Sequence, residues 1–336
     1  GIFSFSTTLL NASSNDDVLQ NIVETLKGKE SFINTITLNF TMSLKKDDEA
    51  IKKILGQKAP AEKRRVSPKG QKSFPSREYL WRMKGEKIKL EGKENTQQEF
   101  KTIGSFDGEK FFRFIYYEEL VEGQEKAQSS PKFKPGDVVQ VHIYGKPTPF
   151  PDIYVGDLYV PLNYLGLGIN KEKIAALLKE SKISFVGKEN IAGDLCYIIE
   201  LIKDEEFPTA EGGETVYRWR WRLWIDPNLG WSIIRRVDYA PDGRVVYTLE
   251  FEGFKSYGEG VLLPTNVTST LYVYDEAIKK NVPISQKTFS VKECKLNQDI
   301  PDQVFSPPIP NGVLVWDAQS DEVYIAGQKR PSDEDI

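Results

Sequence analysis

The chain has 336 residues, a net charge of −4 and 12% aromatic residues, yet a single histidine and two cysteines. That length accommodates one large β-domain or two ordinary ones, and the acidic balance lacks the bulk basicity of a dedicated nucleic-acid binder. His142, Cys196 and Cys294 leave few ligands for a zinc or redox-metal site, and a Ser-His-Asp or Cys-His centre would have to use that one histidine, so no cofactor and no enzyme are expected.

No stretch approaches the ~20 apolar residues that span a bilayer. The chain opens at Gly1, and GIFSFSTTLLNASSN (1–15) reads as the flank that follows a removed signal peptide. The sequons at Asn11, Asn39 and Asn266 read as chance, two of them falling in strand-like runs.

Asp16 and Asp17 are placed to cap a helix through Val18, Leu19, Ile22, Val23 and Leu26, ended at Gly28. Next, Phe32, Ile36, Leu38, Phe40, Met42 and Leu44 share one parity, which predicts a long strand with one apolar face. Residues 45–76 are basic and proline-bearing, and read as an insertion that is either a solvated excursion or a patch for anionic lipid or a partner.

Regular strands resume at Glu78–Lys84, Lys87–Gly92, Phe100–Phe106 and Lys110–Tyr117, the last two joined by the hairpin signal Asp107-Gly108. Residues 118–136 are polar loop, Val138–Tyr144 is a strand, and the proline-rich run that follows is a loop. Asn170 is expected to cap a short helix through Ile174, Leu177 and Leu178. Further strands are expected at Ile183–Lys188, Leu195–Ile202, Val216–Ile225, Ser232–Tyr239, Val245–Phe254, Val261–Tyr274 and Ser285–Leu296, with a last hairpin of Val313–Asp317 and Glu322–Ala326. The two cysteines read as buried free thiols, a disulfide needing an oxidising compartment and close Cβ atoms.

About a dozen strands joined mostly by tight turns, with two short helices, describe a mainly β chain built on an antiparallel sheet. Such a sheet, apolar on one side, has to curl over that face or pack on another layer. The order of the pieces WRMKGEKIKLEG, FDGEKFFRF, IAGDLCYIIEL and RLWIDPNLGWSIIRRVDYAPDGRVVYTLEFEGFK resembles the LolA-like superfamily of outer-membrane lipoprotein-sorting proteins, which includes LolB and RseB-type relatives. The turn Asp226-Pro227 to Gly230, with Ile234 and Arg235 on the returning strand and then Leu263-Pro264, carries the likeness best.

The resemblance spans 16–300 and implies a strongly curved antiparallel sheet, an incomplete β-barrel whose concave face is covered by helices and holds acyl chains. It further implies a non-enzymatic envelope protein on the periplasmic side, peripheral to the membrane, that binds a lipid or lipoprotein acyl chains. The alternative it implies is an RseB-like protein that binds an envelope protein partner through the insertion or the C-terminal segment. Outside 16–300 lie the flank 1–15, a C-terminal extension 301–327 and a charged tail 328–336 expected to be disordered.

The candidates for a ligand cavity are the apolar-parity residues Phe40, Met42, Tyr79, Trp81, Met83, Trp219, Trp221, Ile233, Tyr247, Leu249 and Phe251. The plain alternative is that they pack on one another as core. Arg218, Arg220 and Arg222 fall with Trp224 on the opposite parity of YRWRWRLWID and read as a solvated face paired across strands, with Glu250 and Glu252 as partners. Because aromatic and basic groups separate by parity, a single-strand nucleic-acid platform is not expected. Asp226, Asp238 and Asp242 cluster in sequence, but the first and last sit in turns and make no catalytic pair.

Overall fold

The computed structural model describes residues 14–47, 50–51, 74–93, 100–117, 137–144, 161–169, 172–208, 214–258 and 260–328. The N-terminal flank before Ser14, most of the basic insertion, the loops 118–136 and 145–160, the helix cap expected at Asn170 and the tail beyond 328 lie outside the described residues.

In chain order, helix α1 (Asn15–Phe32) leads into β1 (Thr35–Lys46), then β2 (Phe74–Lys84), β3 (Lys87–Lys93), β4 (Phe100–Phe106), β5 (Phe111–Tyr117) and β6 (Val138–Tyr144). The two-residue strands β7 (Gly168–Ile169) and β8 (Glu172–Lys173) precede helix α2 (Ile174–Glu180). Then follow β9 (Lys182–Ile191), β10 (Asp194–Pro208), β11 (Glu214–Asp226), β12 (Ser232–Tyr239) and β13 (Val245–Glu252). The short pair β14 (Lys255–Ser256) and β15 (Leu262–Leu263) comes before β16 (Asn266–Asp275), β17 (Lys280–Leu296), β18 (Leu314–Asp317) and β19 (Glu322–Ile325).

Two compact units divide the chain. Unit 1 takes Gly1–Phe32, Thr41–Ser76 and Leu162–Lys292; unit 2 takes Ile33–Phe40, Arg77–Pro161 and Glu293–Ile336. Unit 1 carries the strand order β17-β16-β13-β12-β11-β10-β9, and unit 2 the order β19-β18-β6-β5-β4-β3-β2-β1. The order ends at β9 in the one and β19 in the other, so the sheet is open and not closed into a barrel. This is the mainly β, antiparallel architecture that the turn-rich sequence predicts.

In unit 1, register shifts at Ile198/Ile199, Trp224/Ile225, Asp238/Tyr239 and Leu271/Tyr272 bend the strands, since each bulge sharpens the local twist. Helix α1 buries Val18, Ile22 and Leu26, α2 buries Ile174, Leu177 and Leu178, and the connecting run 161–169 buries Leu162, Tyr164, Leu165, Leu167 and Ile169. Glu30 of α1 accepts a hydrogen bond from the Ala175 amide at 2.7 Å, which satisfies a donor at the start of α2. In unit 2, Ile103, Phe112, Phe114, Val141, Ile143, Val313, Val315 and Ala326 form one cluster. The Ser105 hydroxyl donates to the Phe305 carbonyl at 2.5 Å, and Asp302 pairs with Lys84 and Lys87 at 2.9 Å.

Several local readings need correction. The cap of α1 is Ser14, in reciprocal bonds of 3.2 Å with Asp17, a capping box rather than a cap by the aspartates alone. Gly28 does not end the helix; it keeps a right-handed conformation and α1 runs on to Phe32, which therefore leaves the apolar parity of β1. The strand expected over Val261–Tyr274 breaks at Pro264 into β15 and β16, as a residue without an amide donor dictates. The last hairpin forms, but β18 lies parallel to β6, with Val315 opposite Val141, a long-range pairing that no local turn signal announces.

Lys29 is 8% exposed and donates from Nζ to the Ser232 hydroxyl at 2.7 Å, which itself donates to the Leu229 carbonyl at 2.6 Å. The ammonium so ties the last turns of α1 to the β11–β12 turn, and burial pushes its pKa down to about 8. A depressed lysine makes the unfolded chain the better proton binder between that value and the ordinary one, so stability rises with pH across that window. Replacing Lys29 by Met should raise stability at pH 7 by about 2 kcal/mol, the ~3 kcal/mol of linkage less ~1 kcal/mol for the lost hydrogen bond. Urea denaturation checks this, and the gap between variant and parent should shrink at pH 10. A gap independent of pH would rule out ammonium burial as its cause.

Candidate functional site

The register of unit 1 puts a defined set of side chains on one face. Trp221 stands opposite Leu201 and Asp238, Leu223 opposite Ile199 and Arg236, and Ile225 opposite Tyr197 and Ile233. Onward, Asp238 faces Tyr247, Arg236 faces Leu249, and Tyr247, Leu249 and Phe251 face Leu271, Ser269 and Val267. Six of the predicted cavity residues, Trp219, Trp221, Ile233, Tyr247, Leu249 and Phe251, therefore share this face.

The face is graded along its strands. Trp221, Leu223, Leu249, Phe251, Val267 and Phe289 are buried. Trp219, Tyr217 and Tyr247 are half-buried, and Leu271 is 39% exposed. Tyr217, Trp219 and Trp221 form a ladder along β11, with centroids 4.5 Å apart for the first pair and 6.1 Å at 3° for the parallel tryptophans. The ladder begins in the core and climbs to the surface, one rung for every two residues of strand.

Polar groups sit beside and beneath it. The Trp219 indole donates to Glu205 at 2.9 Å. Lys203 meets Glu172 at 2.6 Å, Glu180 at 2.9 Å and Glu205 at 3.3 Å, which ties β10 to β8 and to the end of α2. Against the desolvation that burial imposes, the hydrogen bonds of Glu172 and Glu180 raise the Lys203 pKa. Deeper, Arg236 pairs with Asp238 at 2.7 and 3.0 Å. The Tyr164 hydroxyl lies 3.1 Å from Ser269 Oγ and 3.4 Å from the Tyr247 hydroxyl, while its ring stacks on Phe289 at 4.9 Å. Burial raises the pKa of Asp238, opposed by Arg236, and burial likewise raises that of Tyr164.

The remaining predicted residues fall elsewhere. Met42 is half-buried on the unit 1 part of β1. Phe40, Tyr79, Trp81 and Met83 belong to unit 2, where Phe40 stacks on Tyr79 at 5.2 Å and Phe40, Trp81 and Met83 are buried. Tyr217, Leu271, Lys203, Arg236 and Tyr164 were not among the predicted site residues. The first could have been found from its parity with Trp219; the others depend on pairings across strands and on the covering run 161–169.

The opposite face of unit 1 is not simply solvated. Trp224 is 7% exposed and packs with Cys196, Ile198 and Val237, its indole donating to Glu189 at 2.7 Å. The arginines do pair across strands, but on β10: Arg218 with Asp204 at 2.8 Å, and Arg222 and Arg220 with Glu200 at 3.0 and 4.0 Å. Glu250 pairs instead with Arg235 at 2.8 Å. β13 does not neighbour β11, so neither Glu250 nor Glu252 stands beside these arginines. Arg220 also lies 4.2 Å from the Tyr239 ring centroid.

The three aspartates read as a sequence cluster go separate ways. Asp226 accepts the Asn228 amide at 2.8 Å in the turn that Gly230 closes with φ 62°, Asp242 binds Arg244, and Asp238 binds Arg236. Among the described residues no cluster of histidine, cysteine and carboxylates is suited to a metal ion, and both cysteines are free thiols.

No family model and no curated relative matches the chain. Solved structures do. A DUF1329 family protein from Desulfovibrio piger is similar over 85% of this chain and 96% of its own, at 13% identity and a TM-score of 0.45. A LolA superfamily protein from Nitrosomonas europaea gives the same coverage, identity and score. The lipoprotein LppX of Mycobacterium tuberculosis covers 85% of this chain and 98% of its own at 8% identity and a TM-score of 0.26.

The gradient of burial predicts unequal costs along one ladder. Trp221→Ala should destabilise the protein by about 3–5 kcal/mol, the range for an aromatic truncated in a packed core. Trp219→Ala should cost only about 1–2 kcal/mol, in proportion to the smaller area it removes from water. Denaturant midpoints of the two variants at constant m-value check this, and equal losses would mean that the ladder is core throughout.

Proposed function

We propose that this chain is a non-enzymatic protein of the cell envelope, on the periplasmic side, that binds a lipid or the acyl chains of a lipoprotein on the graded face of unit 1. The observation that supports the reading is the ladder Tyr217–Trp219–Trp221, which extends an apolar core to the surface without interruption. A long thin hydrocarbon laid against such a wall gains ~0.8 kcal/mol per CH₂ removed from water and needs no catalytic group. Met42, Ile233, Tyr247, Leu249 and Phe251 are proposed as further parts of the wall, with Phe40, Tyr79, Trp81 and Met83 as a separate apolar set in unit 2. Among the described residues no helix is long and apolar enough to cross a membrane, so attachment at a membrane surface is the proposed arrangement.

The expected outcome is that protein purified gently in the presence of membranes carries extractable lipid, seen as added mass in native mass spectrometry. Trp219→Ala should weaken acyl binding roughly tenfold while the fold survives, as ~1.4 kcal/mol of lost contact implies. Lipid-free protein that also ignores acyl probes would end this reading.

A second reading, a protein partner docked through the C-terminal segment, draws on β19. Among the described residues its outer edge is unpaired in the strand order, and Leu314, Val323 and Ile325 are 42%, 61% and 38% exposed. Open edges with apolar side chains are sites of strand addition. A photoreactive residue at position 323 should then crosslink to an envelope protein in cells, and substitution Val323→Lys should remove the adduct without changing acyl binding. Crosslinking to lipid alone would leave the first reading in sole possession.

A further inference from the structure

Arg236 is only 3% exposed and stands on the same face as the ladder, opposite Leu223 on one side and Leu249 on the other. Its Nε and Nη2 donate to Asp238 at 2.7 and 3.0 Å. Its Nη1 is buried and meets no protein acceptor among the described residues. The Tyr247 ring centroid is 5.9 Å from the guanidinium, and the Tyr164 hydroxyl lies 3.4 Å from that of Tyr247 and 3.1 Å from that of Ser269. Tyr247, half-buried, leads from this cluster to the open end of the face, where Leu271 is exposed.

A charged N–H left without an acceptor in an apolar setting is costly, so an acceptor supplied there adds to binding. The chemistry of the acceptor follows from the charge already present. Asp238 balances the guanidinium, and a second anion would add an uncompensated charge to a site remote from water. A neutral carbonyl oxygen accepts the N–H without that penalty.

We propose that Arg236 is a specificity-determining residue of the apolar face, and that its Nη1 takes the carbonyl oxygen of an uncharged acyl ester. This rests on the acyl-binding reading above and narrows it to a ligand class: ester-linked chains in preference to bare hydrocarbon or a free fatty carboxylate. The ladder holds the chain and Arg236 holds its linkage.

The test uses the full chain and three probes of matched length, methyl palmitate, palmitate and hexadecane, titrated by quenching of tryptophan fluorescence. The parent should bind methyl palmitate about tenfold more tightly than either of the others. The double variant Arg236→Met, Asp238→Leu removes both charges together, so no carboxylate is stranded, and it should bind hexadecane as the parent does while losing the ester preference. An unchanged ester preference in the double variant, or a parent that favours palmitate, overturns the assignment while leaving acyl binding in place. A parent that binds none of the three probes overturns acyl binding itself and this inference with it. Should the double variant fail to fold, isotope-edited infrared spectroscopy of ¹³C-carbonyl methyl palmitate on the parent decides the matter. A carbonyl band shifted to lower frequency on binding supports the contact, and a band unshifted from that in hydrocarbon solvent overturns it.

Discussion

The alternation of side chains along β11 is the constraint on which unit 1 depends. A strand can send Trp219, Trp221 and Leu223 inward only by sending Arg218, Arg220 and Arg222 outward, and its register with β10 and β12 fixes what each meets. Inward, Trp221 and Leu223 join Ile199 and Leu201, all at most 2% exposed. Outward, the arginines rest on Glu200 and Asp204 with side chains 31% to 62% exposed. Exposed pairs of that kind contribute little, so the stabilisation comes from the inward row. A slip of one residue would bury three guanidiniums and expose two indoles. The sequence pattern thus specifies one register strongly without any single strong bond.

Unit 1 contains buried charges whose role differs from that of the apolar residues around them. Lys29 and the Arg236–Asp238 pair lie among hydrophobic side chains, and replacing such groups by apolar ones of similar volume is often neutral or stabilising. Their positions give them an alternative use. Lys29 joins the end of α1 to the turn before β12, and Lys203 joins the end of α2 to β10 through Glu180. Tyr164 joins the run 161–169 to β16 through Ser269. Each of the three covering segments so has a directional contact with the sheet, while apolar packing alone would allow them to slide.

The parity of the strands was legible in the sequence, because period-two alternation and tight turns are local signals. Trp221, Leu249 and Phe251 on one face, and the turn from Asp226 to Gly230, follow from neighbours within a few residues. What was not legible depends on partners remote in sequence. The parallel pairing of β18 with β6 brings together residues more than a hundred positions apart. The arginine partners came from β10 because β10 and not β13 lies next to β11, and strand order is invisible to alternation. Trp224 reads as outward and is outward, yet Cys196, Ile198 and Val237 cover it on that side. Parity tells which way a side chain points; it does not tell what is waiting there. The same limit applies to the candidate site, where Tyr217 shares the parity of Trp219 while Arg236 is set apart by an Nη1 that meets no acceptor among the described residues.

The graded exposure of the inward face has a consequence for how a ligand would enter. The helices and the run 161–169 bury Leu162, Leu165, Ile174 and Leu177, all at most 3% exposed, and displacing them would expose apolar surface at ~25 cal/mol per Å². At the other end, Trp219 and Tyr247 are already half-exposed, so a chain that begins there displaces little but water. Entry at the open end also passes the Lys203 cluster, whose three carboxylates outnumber its one ammonium. Hydrogen bonding to Lys203 and its charge lower the Glu180 pKa, so this carboxylate keeps its charge down through the ordinary carboxylate range and loses the contact only as pH falls through the lowered value. A neutral or cationic ligand end meets less repulsion at that rim than an anionic one. For a ligand on this face the rim and the buried arginine would therefore act in the same direction: the first would disfavour an anion at the open end, and the second, already balanced by Asp238, would offer an anion nothing inside.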